Sequence, residues 1–178
     1  MTVRLFVALA LALPATILAQ GAATPAPVTT RSEIMNHFDM SMSKVVALAK
    51  AMPADAYRWK PEPAAMEVGQ VFAHIANYNF GYLSGNMGVT APAGIRSDTL
   101  EAMRDKAQIV ALLERSMQFV KQHVAAMPAE QMDRQTRLYG RTVPQWAVLM
   151  QLVAHMNEHL GQSIAYARAN KIVPPWSG

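Results

Sequence analysis

A chain of 178 residues has room for one domain of ordinary size and too little for two. Its hydrophobic content of 52% excludes disorder as a general state, and a net charge of +4 without a dominant Lys/Arg cluster gives no footprint for nucleic acid. The absence of cysteine excludes disulfides, a thiol nucleophile, thiolate-bound zinc and a lipidated N-terminal cysteine.

The chain begins as a secretory signal does. Arg4 supplies a positive start, Leu5 to Leu13 is an unbroken apolar run, and Pro14 breaks it before small residues. Cleavage is expected after Ala19 or Ala23, so residues 1–23 are read as signal peptide and the start of a linker. The run is short for a bilayer span; an uncleaved anchor is the alternative. Residues 24–30 continue a flexible, Pro-containing linker, and residues 31–178 form the expected domain. This reading makes the protein an exported bacterial one, periplasmic or secreted, with no stable membrane insertion after cleavage.

Four helical patterns follow. The first covers about Arg31 to Ala51, with Thr30 and Glu33 at capping-box spacing. Its apolar stripe is Ile34, Met35, Phe38, Met42, Val45, Val46, Ala49 and Met52. A connector from Pro53 to Ala65 has prolines too close for a regular helix. Its Tyr57 and Trp59 are expected to pack over the bundle end. The second helix spans about Glu67 to Leu83, with a stripe of Val68, Val71, Phe72, Ile75, Tyr82 and Leu83. Gly85 to Gly94 reads as loop. A third helix is expected from Asp98, with Glu101 completing a capping box and a seam of Met103, Val110, Leu113, Met117, Val120, Val124 and Met127. Ala129 to Arg141 reads as a polar, basic loop, with no convincing strand. Thr142, Pro144 and Gln145 then signal the start of a fourth helix reaching about Asn170. Its apolar residues lie nearly all round, which predicts a central helix. Trp176 is expected to pack back onto the domain. The fold class is all-α, a four-helix bundle.

His155 and His159 stand four apart on the last helix, so they share a face with Cβ atoms roughly 5–6 Å apart. Two imidazoles so placed can converge on one cation. This is not the zincin motif, because Met156 stands where that motif carries Glu. Glu158 projects about 100° away from His159 around the helix. The competing reading is a pair of surface or satisfied core histidines. Two features favour metal. An imidazole buried without a partner costs roughly 1–3 kcal/mol, and His74 lies mid-helix in a second core segment as a third ligand.

The order of motifs carries a resemblance. A first amphipathic helix leads into the Tyr57 to Pro61 connector. A helix then carries Val71-Phe-Ala-His74-Ile-Ala, and a late helix carries His155-Met-Asn-Glu-His159-Leu-Gly-Gln162. Over most of residues 31–170 this resembles the DinB-like family of four-helix metalloenzymes, described together with the YfiT-like proteins. The resemblance implies that His74, His155 and His159 bind a divalent metal, zinc or nickel, with water in the open positions. Its characterised members include thiol-S-transferases and a mycothiol-dependent isomerase. The export signal sets this chain apart from those cytoplasmic relatives and their small thiols. The resemblance implies no nucleic-acid binding.

Around the histidines the alternatives stay open. Gln162 either orients a ligand or faces solvent at a helix end. Tyr78 either donates a hydrogen bond in the pocket or packs the core. Gln70 carries a weaker argument for a supporting role. His37 reads as a surface or rim residue, His123 as a cation at a helix C-terminus, and the methionines as core filling, not copper ligands. Three functions remain. The first is an exported metal-dependent hydrolase or group transferase, its catalytic residues unknown, acting on a small molecule. The second is a non-catalytic metal- or ligand-binding envelope module, and the third a plain structural bundle. A homodimer is plausible for a bundle with an exposed apolar stripe.

Overall fold

The computed structural model describes residues 27–177; the expected signal segment and residues 24–26 of the linker lie outside these residues. Four long helices, α1 (Thr30–Ala51), α2 (Val68–Asn86), α4 (Lys106–Ala126) and α5 (Gln145–Ala169), are joined by a one-turn α3 (Ser97–Leu100), two 3-10 turns and a two-stranded hairpin. α2 packs on α4 and α5, and α1 packs on α5 and α4. The helices therefore ring one core in the order α1, α5, α2, α4. Phe38, Met42, Phe72, Ile75, Leu113, Val120, Leu149 and Met156 interlock within it. No helix among the described residues is long and apolar enough to cross a membrane.

The start of α1 lies one residue earlier than the sequence signal. Thr29 accepts from the Ser32 N–H at 3.1 Å and donates its own N–H to Ser32 Oγ at 2.8 Å. The box is therefore Thr29 with Ser32, not Thr30 with Glu33. At the other end Pro53 has no N–H to offer the Ala49 carbonyl four residues back. The buried Tyr57 hydroxyl takes that place at 2.7 Å, and the Lys106 ammonium donates to the Lys50 and Met52 carbonyls at 2.8 and 2.6 Å. Gly69 lets α2 pass beneath this corner, where a Cβ would stand 3.0 Å from the Tyr57 ring. Tyr57→Phe strips the Ala49 carbonyl of its partner while keeping the ring. It is expected to cost about 1–3 kcal/mol in chemical denaturation, and an unchanged midpoint would contradict this account of the corner.

Other expectations need correction. A single helix from Asp98 is not formed. The chain makes one turn at α3, breaks, and restarts where Asp105 accepts from the Gln108 N–H at 2.9 Å. The pair Asp105 and Gln108 has the same capping spacing as Asp98 and Glu101, and Asp105 is the residue that caps the long helix. The resulting seam is Ile109, Leu112, Leu113, Ser116, Phe119, Val120 and Val124, with Met103, Val110 and Met117 on its flank. The polar stretch before α5 is also not a plain loop. Strands β1 (Gln135–Leu138) and β2 (Arg141–Pro144) pair antiparallel, Leu138 opposite Arg141. Tyr139 and Gly140 turn the chain with φ of 47° and 78°, the doubly left-handed turn that matches strand twist. Thr142 therefore lies in β2 instead of capping α5, which starts at Gln145 behind Pro144.

The most enclosed helix is α2, with twelve of 19 residues buried, against nine of 25 for α5. Small residues explain the difference: alanines lower the polarity of α5 without needing burial, and Met150 stays 52% exposed. Within residues 53–65 the two aromatics face the bundle. Tyr57 is buried, and Trp59 meets Tyr166 of α5 edge-on with centroids 5.3 Å apart. Trp176 remains partly exposed, with the Lys44 ammonium 5.9 Å over its ring.

Candidate metal centre

The middle of α2 faces the middle of α5, and this facing brings the three histidines together. One ligand nitrogen from each of His74, His155 and His159 lies within 4.8 Å of the other two. The ring centroids stand 4.6–5.1 Å apart. His74 Nε2 is 3.2 Å from His155 Nε2. Imidazole nitrogens at two corners of a tetrahedron around a zinc-sized ion would be about 3.3 Å apart, given bonds of about 2.0–2.1 Å.

The surroundings fix which nitrogens face inward. His74 Nδ1 lies 2.8 Å from Glu101 Oε1, which also accepts from Asn77 Nδ2 at 2.9 Å. A carboxylate can only accept, so Nδ1 carries the proton and the neutral ring keeps its lone pair on Nε2. His159 Nδ1 meets the Gln162 carbonyl oxygen at 2.8 Å. Gln162 donates in turn to the Tyr166 hydroxyl at 2.9 Å, and Tyr166 is backed by Trp59. The amide thus selects the same tautomer for His159. Two of three imidazoles are thereby held as Nε2 donors, the arrangement that supporting hydrogen bonds give to metal-binding histidines. The donor set suits zinc, nickel and neighbouring first-row ions.

Tyr78 stacks on His155 with centroids 4.2 Å apart and lies 4.5 Å from His74. Its ring walls the site, and no hydrogen bond from its hydroxyl is made among the described residues. Gln70 is half-buried and hydrogen-bonds to none of the histidines. Glu158 is exposed, as its angular position on α5 requires. His37 is exposed, and His123 approaches the Phe119 carbonyl at 2.8 Å in the last turn of α4. Neither joins the cluster.

Three participants were not legible as such in the sequence. Glu101 and Asn77 support His74, and Tyr166 supports Gln162. Tyr166 did carry a signal, since it falls four residues after Gln162 and seven after His159 on one helical face. Glu101 carried none, because only the break after α3 turns its carboxylate toward α2.

Burial, and then the charges of His159 and His74, push His155 down from 6.5 to about 4, with Glu101 opposing. The unfolded chain takes up a proton on this ring near its ordinary pKa, while the folded protein resists until about 4. Stability of the metal-free protein therefore falls as pH drops through that window. After discounting for solvent screening of this partly buried ring, the loss is on the order of 1–2 kcal/mol. Chemical denaturation at neutral pH and near the lower limit measures it; equal stabilities would remove His155 as a ring kept neutral by the fold.

The sequence profile of the DinB superfamily matches residues 37–163. The chain belongs to the DinB superfamily. This DinB chain is similar in fold to a DinB-like protein from Bacillus cereus ATCC 10987, with a TM-score of 0.71 at 17% identity, covering 81% of this chain and 95% of that one. A conserved protein from Enterococcus faecalis gives a TM-score of 0.63 at 13% identity, with coverages of 80% and 97%. A DinB-like protein from Bacillus subtilis gives 0.50 at 21% identity, with coverages of 79% and 94%. No curated protein sequence matches the chain.

Proposed function

We propose that this DinB protein is an exported, metal-dependent hydrolase or group transferase acting on a small molecule. His74, His155 and His159 hold a divalent ion, zinc or nickel, and leave a position for water or substrate. The observation that carries this reading is the convergence of three imidazoles, two of them locked as Nε2 donors by Glu101 and Gln162. A bound ion would supply Lewis acidity, lowering the pKa of a water or substrate group at its open position. The chain's own part is to hold the three rings, keep the Nδ1 protons on His74 and His159, and wall off one side with Tyr78.

A specific observation favours a second reading, a non-catalytic binding module. Glu158 points to solvent, and Glu101 spends its Oε1 on His74 and Asn77, so no carboxylate is dedicated to the role of general base at the cluster. Metal-loaded protein assayed against nitrophenyl esters and against a thiol with an electrophilic chloronitrobenzene separates the two. The enzyme reading expects turnover that disappears in a folded His155→Ala, His159→Ala variant. Equal rates in parent and variant, or none in the loaded parent, would leave binding as the function.

A further inference from the structure

Beside the histidines lies a cleft of about 320 Å³ between α2, the α3 turn and the hairpin, lined chiefly by Asn77, Tyr78, Tyr82, Glu101, Leu138 and Tyr139. Two of these residues also touch the candidate metal centre: Glu101 hydrogen-bonds to His74, and Tyr78 stacks on His155. The hairpin closes the far side. Asn86 of α2 donates to the Arg137 carbonyl and accepts from the Thr136 hydroxyl, and the Tyr82 and Tyr139 hydroxyls meet at 2.6 Å.

Tyr139 is in an unusual position. It is a bulky residue at φ 47°, in the left-handed region where Asn, Asp or Gly sits with less strain. It is also 62% exposed, so it contributes little to the core. What the side chain does make is one wall of the cleft and the bond to Tyr82. Strain kept at a residue that serves a cavity instead of the core points to ligand contact.

Resting on the metal-centre reading above, we propose that this cleft receives the organic body of the metal centre's ligand, and that Tyr139 sets its preference for an uncharged, ring-shaped body. The lining supports that class. No lysine or arginine lines the cleft among the described residues, so the lining itself offers an anionic body no counter-charge or charged hydrogen-bond donor. Glu101 is the single formal charge on the lining, and its Oε1 already accepts from two groups. A cationic body would be repelled by a divalent ion next door. Three phenol rings offer flat apolar faces with hydroxyls at their edges, suited to a neutral ring.

Cobalt-loaded protein provides the test, because its visible spectrum reports ligands that reach the ion. Benzohydroxamate presents a metal-chelating end with a ring, and acetohydroxamate the same end without one. The parent is expected to bind benzohydroxamate about tenfold more tightly. Tyr139→Asn removes the ring wall and relieves the turn, so its thermal midpoint is expected to equal or exceed the parent's. Its acetohydroxamate affinity should be unchanged and its preference for benzohydroxamate lost. A normal cobalt spectrum with the preference intact in Tyr139→Asn, or no preference in the parent, would overturn this proposal and leave the metal centre standing. No cobalt spectrum in the parent would overturn the metal centre and this proposal with it.

Discussion

Replacing His155 and His159 together by alanine is expected to abolish divalent-ion binding while leaving the bundle folded. Both side chains point from α5 toward His74 and only partly enter the core. Their removal leaves one imidazole, and a single neutral imidazole does not hold a zinc-sized ion against water. The readout is the stability gained on adding zinc or nickel. A ligand that binds the native state alone, at a hundred times its dissociation constant, adds about 2.7 kcal/mol. The parent should show a gain of that order, and the variant none. An equal gain in both would mean that the ion binds somewhere other than this cluster.

Glu101→Ala tests the support of the site. The carboxylate fixes the tautomer of His74 from 2.8 Å and is itself steadied by Asn77. With it gone, the ring is free to turn and to move its proton to Nε2, where a proton excludes a metal. Loss of such a partner is expected to weaken metal affinity about 10–100-fold. Glu101→Gln should recover part of this, because the amide oxygen can still accept from Nδ1. The side chain is 28% exposed, so neither change should unfold the protein. Competition with a chromophoric chelator measures the affinities. An unchanged affinity in Glu101→Ala would show that His74 needs no orienting partner.

The long helices were legible because burial on one side imposes a 3.6-residue rhythm that single residues can report. Ile34, Phe38, Met42, Val45 and Ala49 show it on α1, and Val68, Val71, Phe72 and Ile75 on α2; all are buried. The histidine cluster was legible for a related reason. A pair four apart on α5, with a third on α2, needs only that two helices face one another. What escaped depends on contacts distant in sequence. Each strand of the hairpin is four residues long, too short for alternation to stand out, and its turn is Tyr-Gly where Asn-Gly would have been the clear signal. The break between α3 and α4 offers two equivalent capping spacings, Asp98 with Glu101 and Asp105 with Gln108. The choice is made by partners elsewhere: His74 and Asn77 hold Glu101, and Glu67 holds Arg104 at 3.1 Å. The most informative supporting residue of the site therefore lies where local rules predicted an ordinary cap.

The central claim is that the histidines of α2 and α5 share one ion, and metal content tests it most directly. Protein purified without a polyhistidine tag, and never exposed to chelator, should carry close to one zinc or nickel ion per chain by elemental analysis. Protein that contains no divalent ion, and takes none up from equimolar zinc or nickel, would contradict the account.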